Sequence, residues 1–293
     1  MFSVSANVLI GRLSAGNNRD SRQLREKLRA YNRRLIIPRV ARRIHIPLLR
    51  LGDIPLESAQ AHHARDVLRL AEGTAVDVFD NSGASAHGVL IHLGRREAAV
   101  RVTRIDSPAG TPAFQWTVAS AVPKGDRADW MVEKLSELGA AALIPLATAR
   151  SVVLPQGPNK QERWSRIATE AAKQSRRPGV MRIEALTPVG AAVQELAGSE
   201  PGAHARWFLA TEVPGTPIAQ AVAAARGTAM LTLFVGPEGG WTEAEIAAFE
   251  LAGLTAVRLG PTLLRIETAA IAAGAVVATF LSTPAPMGLD VHG

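Results

Sequence analysis

The sequence predicts an α/β fold with a mostly parallel sheet, preceded by a small domain of short strands. From Trp116 onward, short apolar runs alternate with amphipathic helical stretches, which is the pattern of successive strand–helix units. Before that point, residues 44–105 hold several short runs of alternating polarity separated by turn residues, which is typical of a small β-barrel. The chain of 293 residues, 47% of them apolar, is long enough for two such domains.

The elements of the small domain follow from polarity and turn residues. The segment "RIHIPLL" alternates and predicts a first strand, and "HHARDVLRL" predicts a short helix. The segment "TAVDVFDNSG" predicts a strand that runs into a turn. The segments "SAHGVLIHLG" and "EAAVRVTRI" complete the set of strands. The composition of "DSPAGTPA" then predicts a linker.

The larger domain shows a regular alternation of elements. Its predicted strands are "WTVASAVP", "AALIPLAT", "ARWFLATE", "AMLTLFVG" and "AVRLG". Helices are predicted between them, including a long one over "NKQERWSRIATEAAKQSRR" that Pro178 stops. Another helix has a capping box, with Thr242 at the N-cap and Glu245 three residues later, and Gly253 closes it.

The composition excludes several classes of protein. The chain has no cysteine, which excludes disulfides and zinc–thiolate sites and fits the cytoplasm, where we expect the protein to be located. The seven histidines are scattered, and their one adjacent pair, His62-His63, lacks metal-ligand spacing, so no metal is expected. The longest apolar helix, residues 269–281, is too short to span a membrane, so no membrane partner is expected.

The net charge of +7 comes entirely from the N-terminal region. Residues 1–50 hold 12 Lys or Arg and 2 Asp or Glu, whereas residues 51–293 hold 21 and 24. Residues 1–40 are therefore expected to be a basic extension, which can bind nucleic acid by neutralising phosphates. Two alternatives stay open, namely that this extension is disordered and that translation begins near Val40.

Two loops predict a ligand pocket. Residues 236–240 form a glycine loop after a buried strand, but no Lys-Ser or Lys-Thr pair follows and no G-x-G-x-x-G is present. Glu238 would repel phosphate, which favours a ligand with a positive centre; a plain turn is the alternative. Residues 259–268 carry Arg265 and Glu267 just before a helix that Thr268 is expected to cap. Polar loops at neighbouring strand ends are typical of a binding pocket.

These loops carry a resemblance to a known family. "FVGPEGGWTEAEI" and "LGPTLLRIETAA" resemble the signature of the RsmE family of ribosomal RNA uracil-N3 methyltransferases, in the SPOUT superfamily. "HHARDVLRLAEG…VDVFDNSG" resembles the family's PUA-like barrel. "KGDRADWMVEKLSELGAAALIPLATARSVV" and "ERWSRIATEAAKQSRR" resemble its central blocks. The resemblance spans residues 43–281, and one departure is Ile266, where the family usually has Thr.

The resemblance implies a SPOUT α/β trefoil-knot domain preceded by a small PUA-like β-barrel. The implied organisation is a basic extension at 1–40, a PUA-like RNA-binding barrel at 41–106, a linker at 107–113, the SPOUT methyltransferase domain with its C-terminal knot at 114–285, and a tail at 286–293. Such a knot is too rare for sequence rules alone to predict it.

The resemblance also implies an activity. It is the S-adenosylmethionine-dependent methylation of N3 of uridine 1498 in 16S ribosomal RNA, on the small ribosomal subunit, by a homodimer. Two alternatives stay open: a non-catalytic RNA-binding or ribosome-assembly protein on the same fold, and a SPOUT enzyme that methylates a ribose 2′ oxygen.

Site residues follow from the matching positions. Arg265 is expected to stabilise charge on the uracil oxygens, and Glu267 or Glu238 to take the N3 proton, because neutral N3 is a poor nucleophile. The residues expected to bind the cofactor are Ala210, Thr211, Glu212, Gly236, Pro237, Glu238, Gly239, Leu259, Gly260, Leu263, Leu264, Arg265 and Thr268.

RNA contacts are expected from cationic side chains on both domains. Four of them fall on one stripe of the long helix, where a solvated charged face is the alternative explanation. The full set is Arg43, Arg65, Arg69, Lys124, Arg127, Arg150, Arg163, Arg166, Lys173 and Arg177, of which Arg163, Arg166, Lys173 and Arg177 form the stripe.

Overall fold

A computed structural model describes residues 42–94, 97–106, 114–155, 157–196 and 202–281 of the protein. The predicted N-terminal extension at 1–40, the linker at 107–113 and the tail at 286–293 lie outside these residues. The described residues form two sheets, each with its own core.

The first sheet belongs to the small domain. Its strands are β1 (Arg43–His45), β2 (Gly52–Pro55), β3 (Ala75–Phe79), β4 (Ser85–Leu93) and β5 (Ala98–Asp106), and helix α1 (Ser58–His62) continues into a π-helical turn (His63–Val67). The strand order is β1-β3-β4-β5-β2, with β1 and β3 parallel and the other neighbours antiparallel. Alternate residues such as Val76 and Val78 are buried, because successive side chains of a strand point to opposite faces.

The second sheet belongs to the larger domain and is parallel throughout. Its strands are β6 (Gln115–Ser120), β7 (Ala142–Ala147), β8 (Arg182–Ile183), β9 (Thr187–Pro188), β10 (His204–Leu209), β11 (Thr216–Pro217), β12 (Met230–Val235) and β13 (Thr255–Arg258). The helices are α2 (Asp126–Glu137), α3 (Pro158–Ser175), α4 (Val189–Leu196), α5 (Ile218–Ala224), α6 (Glu243–Leu251) and α7 (Ile266–Leu281). The strand order is β11-β13-β10-β12-β6-β7-β8, and β9 pairs with the end of β7.

Helices cover both faces of this sheet. In β12, Leu233 and Val235 pack into the core that also holds Leu135 of α2, while Phe234 packs on the opposite face. The ring of Phe234 lies 5.3 Å from that of Phe249 in α6, centroid to centroid. The continuous apolar run of β12 is therefore explained by burial on both sides.

The capping box predicted for α6 is present. The hydroxyl of Thr242 accepts a hydrogen bond from the backbone N–H of Glu245 at 3.3 Å, and the carboxylate of Glu245 accepts one from the backbone N–H of Thr242 at 2.8 Å.

The prediction for α7 was wrong in one respect. This helix begins at Ile266, so Thr268 lies inside its first turn and does not cap it. The carbonyl of Arg265 instead accepts the N–H of Ala269 at 2.8 Å.

The stripe of cations predicted on α3 does not form. The helix ends at Ser175, and Arg176 adopts a left-handed conformation, which turns the chain away from the stripe. Lys173 is buried and pairs with Glu170 at 2.6 Å. Arg177 donates to the carbonyls of Ser136 at 2.9 Å and Ala140 at 2.8 Å, and burial lowers the pKa of Arg177 to about 10. The structure therefore does not place Lys173 or Arg177 where they could contact RNA.

Arg43 joins the small domain to the larger one. Its guanidinium lies 3.8 Å from the centroid of the Phe79 ring, and its Nη1 donates to the carbonyl of Ala172 in α3 at 3.2 Å. Partial burial lowers the pKa of Arg43. A cation in contact with an aromatic face and a helix carbonyl stabilises the junction, so Arg43 is engaged within the protein rather than presented to RNA.

The predicted α/β class and the preceding domain of short strands are confirmed by this architecture. The trefoil knot stays a prediction. None of the helices in the described ranges is both long and apolar enough to cross a membrane.

Candidate active site

Three loops enclose a cavity of about 490 Å³ at the carboxyl edge of the second sheet. The loops follow β13, β10 and β12, which are neighbours in the sheet, so their ends meet at one edge. Every residue predicted to bind the cofactor lines this cavity except Thr268, which lies in the first turn of α7 and is exposed to solvent. The predicted residues in the lining are Ala210, Thr211, Glu212, Gly236, Pro237, Glu238, Gly239, Leu259, Gly260, Leu263, Leu264 and Arg265.

Sequence reasoning missed part of the lining. Arg258 is the last residue of β13, and the rule that ligands bind beyond the carboxyl ends of parallel strands could have found it. Ile266, which replaces the family's usual Thr, is buried and forms part of the apolar wall. The lining residues outside the predicted loops and site are Leu209, Val235, Trp241, Arg258 and Ala269, whereas Gly240, Thr262 and Ile266 lie in the predicted loops but were not assigned to the cofactor individually.

The carboxylate of Glu212 ties two of the loops together. It accepts the backbone N–H of Trp241 at 3.1 Å and that of Thr211 at 3.0 Å. The carboxylate passes over Gly240, where a Cβ atom would lie 1.7 Å from Oε1 of Glu212, and Gly240 has a φ of +73°. Only glycine satisfies both conditions, so Gly240 is required for this connection.

Trp241 fixes the base of the glycine loop. Its indole is buried, and Nε1 donates to the carbonyl of Leu209 at 2.8 Å. The ring packs so closely on Gly236 that a Cβ atom there would lie 2.9 Å from it. The absence of a side chain at Gly236 therefore makes room for the indole, which in turn connects the loops after β10 and β12.

Three charged side chains in the cavity lining have no bonded partner in the described part of the chain. Across the residues that the structure describes, no hydrogen bond or ion pair engages the side chain of Arg258, Arg265 or Glu238. Two guanidinium groups and one carboxylate are thus available to a ligand. No lysine is found among the described lining residues, so the wall lacks the cation typical of phosphate loops.

Glu267 lies outside the cavity lining and faces α2. Its side chain is buried, and Oε1 accepts a hydrogen bond from Nη1 of Arg127 at 3.4 Å. Its other oxygen, Oε2, is buried with no donor among the described residues. The structure therefore brings Glu267 together with Arg127, a residue predicted to contact RNA, and not with Arg265.

Most of the remaining cations predicted to contact RNA are engaged within the protein. Arg150 donates to the carbonyls of Gly239 and Trp241 in the glycine loop, and Arg65 pairs with Asp66. On α3, Arg163 pairs with Asp129, and Arg166 lies 3.9 Å from Glu162. Arg69 and Lys124 are exposed, and no described residue bonds to their side chains.

A metal site is not found in the described ranges, where no three His, Asp or Glu side chains are grouped to hold an ion.

The sequence matches two family models, one in the region of each sheet. Residues 111–278 match an RNA methyltransferase domain, and residues 56–103 match an RNA methyltransferase PUA domain. Two relatives are both named ribosomal RNA small subunit methyltransferase E. The protein from Synechocystis sp. is 34% identical over 79% of this chain and 75% of its own length. The protein from Mycobacterium bovis is 35% identical over 75% and 84%.

The chain belongs to the ribosomal RNA small subunit methyltransferase E family. A solved structure of the member from Neisseria gonorrhoeae, bound to S-adenosyl methionine, is similar with a TM-score of 0.69 and 26% identity, over 81% of this chain and 96% of that one. The predicted family is therefore confirmed, and the predicted PUA-like domain is confirmed with it.

Gly240→Ala is expected to disrupt the connection between Glu212 and Trp241. The methyl group would collide with the Glu212 carboxylate, so affinity for S-adenosylhomocysteine should fall roughly tenfold, as for loss of a charged hydrogen bond. The left-handed conformation alone should cost about 1–2 kcal/mol of unfolding free energy. Calorimetric titration and urea denaturation measure the two effects.

Gly253→Ala is the matched control. Gly253 has a φ of +72°, but no atom lies within 4 Å of its Cβ position. It should lose similar stability and keep its affinity. Equal affinity in the two variants would show that the Glu212 connection does not shape the cavity.

Proposed function

We propose that this protein transfers a methyl group from S-adenosylmethionine to N3 of a uridine in 16S ribosomal RNA, uridine 1498 by the name of its family. The observation that carries the proposal is the cavity at the carboxyl edge of the parallel sheet, lined by the loops that the family signature marks. Relatives named as small-subunit RNA methyltransferases support the substrate. The intact cavity argues against a non-catalytic role.

The residues present fit S-adenosylmethionine. The cavity volume lies within the range of cofactor sites, and its lining mixes apolar side chains with backbone polar groups. The carboxylate of Glu238 suits a positively charged ligand, and the unpaired guanidinium groups of Arg258 and Arg265 suit a carboxylate or a developing oxyanion. We propose that the loops after β10, β12 and β13 hold the cofactor.

S-adenosylmethionine supplies a methyl group on a sulfonium, and the reaction forms the N3–C bond as the C–S bond breaks and its electron pair returns to sulfur. The protein must orient uracil for this in-line displacement and must remove the N3 proton. We propose that Glu238 accepts that proton, because it lines the cavity, whereas Glu267 faces α2. Arg265 stabilises the negative charge that develops on the uracil oxygens.

We propose that RNA binds through local cations, since residues 51–293 carry no net positive charge. Arg69 and Lys124 are exposed and unpaired within the described chain, and Arg166 has only a distant partner. Their charges remain available to phosphates. With the domain boundaries that we propose, at residues 41–106 and 114–285, Arg69 belongs to the RNA-binding domain and Lys124 and Arg166 to the methyltransferase domain. We place this activity in the cytoplasm, where ribosomal subunits are modified.

We propose that the active form is a homodimer. Trp130, on the outer side of α2, is 46% exposed, which is unusual for so large an apolar residue. It lies one turn from Arg127, whose guanidinium contacts Glu267 of α7. A second copy on this face would cover Trp130 and pack against Arg127, the half-exposed partner of the buried Glu267.

The function is tested by methylation of small ribosomal subunits that lack the modification. The purified protein should transfer one methyl group per subunit, and mass spectrometry of nuclease fragments should place it on the uracil ring. Arg265→Ala should lower turnover roughly 10²-fold or more, the usual cost of one electrostatic stabiliser, with cofactor affinity changed little. Methylation of the ribose, or none by the wild type, would contradict the proposed reaction.

Two carboxamide variants separate the carboxylates in the same assay. Glu238→Gln should lower turnover and recover partly as pH rises, because hydroxide can then remove the imide proton. Glu267→Gln, at a position that faces α2, serves as the comparison. If Glu238→Gln turns over normally and Glu267→Gln shows the pH-dependent loss, the assignment of the base is reversed.

Trp130→Glu is expected to convert the dimer into monomers, because a carboxylate would be buried without a partner in the proposed interface. Light scattering coupled to size-exclusion chromatography measures the mass. Leu251→Glu is the matched control, since Leu251 is 92% exposed on α6 at the opposite face of the sheet. A monomeric wild type would refute the homodimer, and a dimeric Trp130→Glu variant would refute this interface.

A further inference from the structure

Arg150 stands on a rigid turn beside the glycine loop. The turn follows β7 and is closed by a hydrogen bond from the N–H of Ser151 to the carbonyl of Thr148 at 3.2 Å. The hydroxyl of Ser151 also accepts the N–H of Thr148 at 3.1 Å. Between them, the N–H of Ala149 donates to Oε1 of Glu245 at 2.9 Å, which ties the turn to the start of α6. These three hydrogen bonds therefore hold the backbone on both sides of Arg150 in one conformation.

The side chain of Arg150 reaches from this turn to the glycine loop. Its Nη1 donates to the carbonyl of Gly239 at 2.7 Å and to that of Trp241 at 3.2 Å. The loop backbone packs directly on the arginine stem, since a Cβ atom at Gly239 would lie 3.3 Å from both Cβ and Cδ of Arg150. The guanidinium thus holds two carbonyls of one short loop.

The same loop lines the cavity, whereas Arg150 is not among the described residues that line it. The arginine therefore touches the loop and not the ligand. We propose that Arg150 is a positioning residue for methyl transfer, which holds the glycine loop in its ligand-binding shape. This differs from the RNA contact predicted from sequence. It rests on the proposed function for the identity of the ligand.

Loss of Arg150 should loosen the loop without unfolding it. Two other connections remain, from Glu212 to the N–H of Trp241 and from the Trp241 indole to the carbonyl of Leu209. A loop that samples several conformations binds its ligand more weakly, because its apparent affinity falls in proportion to the fraction of time that it spends in the ligand-binding conformation. The effect should therefore appear in cofactor affinity and in local backbone exchange, not in affinity for RNA.

The test compares Arg150→Ala, Arg150→Lys and wild type in the full-length protein. Hydrogen exchange of the 236–242 segment is measured without ligand, and S-adenosylhomocysteine affinity by calorimetry. Arg150→Ala should speed exchange in this segment and weaken affinity roughly tenfold. Arg150→Lys, which keeps a cationic donor group but not the planar guanidinium, should reverse part of both effects. Arg182→Ala is the matched control for lost charge, because Arg182 is exposed on β8, pairs only with Glu184 among the described residues and has no proposed role.

The outcomes are distinct. Wild-type affinity in Arg150→Ala, or unchanged exchange in residues 236–242, overturns the inference. Faster exchange across the whole protein also overturns it, because the role would then be general stability. A raised KM for ribosomal subunits with normal cofactor affinity would instead support the RNA contact that was predicted from sequence. If the wild type itself fails to bind S-adenosylhomocysteine, the proposed function fails, while the exchange result still decides whether Arg150 holds the loop.

Discussion

The carboxylate of Glu212 is the interaction on which the candidate active site depends. The loops that follow parallel strands lie at one edge of the sheet, but this alone does not fix the distance between adjacent loops. Glu212 fixes that distance, because its carboxylate accepts backbone N–H groups from its own loop and from the glycine loop. This connection requires Gly240, because a Cβ atom there would occupy the space of the carboxylate. The glycines of this loop thus serve contacts within the protein as well as the approach of a ligand.

Charge in the cavity is divided between fixed and available groups. Glu212 in the lining and Arg150 beside it are both hydrogen-bonded to the backbone of the glycine loop. Arg258, Arg265 and Glu238 lie in the lining without partners among the described residues. Unpaired charges are tolerated here because these side chains are exposed to solvent. A ligand that binds these side chains replaces the water around them with its own charged groups. The new contacts contribute to affinity and fix the orientation of the ligand.

Much of the fold could be predicted from local pattern, because local physics determines it. The capping box of α6 needs only Thr242 and Glu245 at the right spacing, and the buried strand β12 needs only a continuous apolar run. The cavity loops at 236–240 and 259–268 were predictable from the residues because they follow predicted strands, whereas the loop at 210–212 was implied only by the family resemblance. The predicted knot rests on the family resemblance alone, since no short-range pattern specifies which loop another segment passes through.

The roles of individual cations could not be predicted from sequence. Arg150, Arg177 and Arg265 look alike in the sequence. Arg150 holds a loop, Arg177 is buried against the carbonyls of Ser136 and Ala140, and Arg265 lines the cavity without a partner among the described residues. Their roles depend on which carbonyls tertiary packing brings near each guanidinium. The stripe on α3 failed for related reasons, because the helix ends before Arg177 at the left-handed residue Arg176, and because packing buries Lys173 beside Glu170.

Glu267 shows how the cavity and the proposed subunit face are physically continuous. A carboxylate in the first turn of α7 gains from the partial positive charge at the helix start, but that gain does not replace a donor for a buried oxygen. Arg127 supplies one long contact from α2. Because α7 begins directly after Arg265, a shift of its first turn moves the cavity loop and Glu267 together. A second copy that packs on Trp130 would also restrain the half-exposed Arg127 against Glu267, which fixes the start of this helix and hence the position of Arg265. Dimer formation and the geometry of the cavity would then be coupled through a single helical turn.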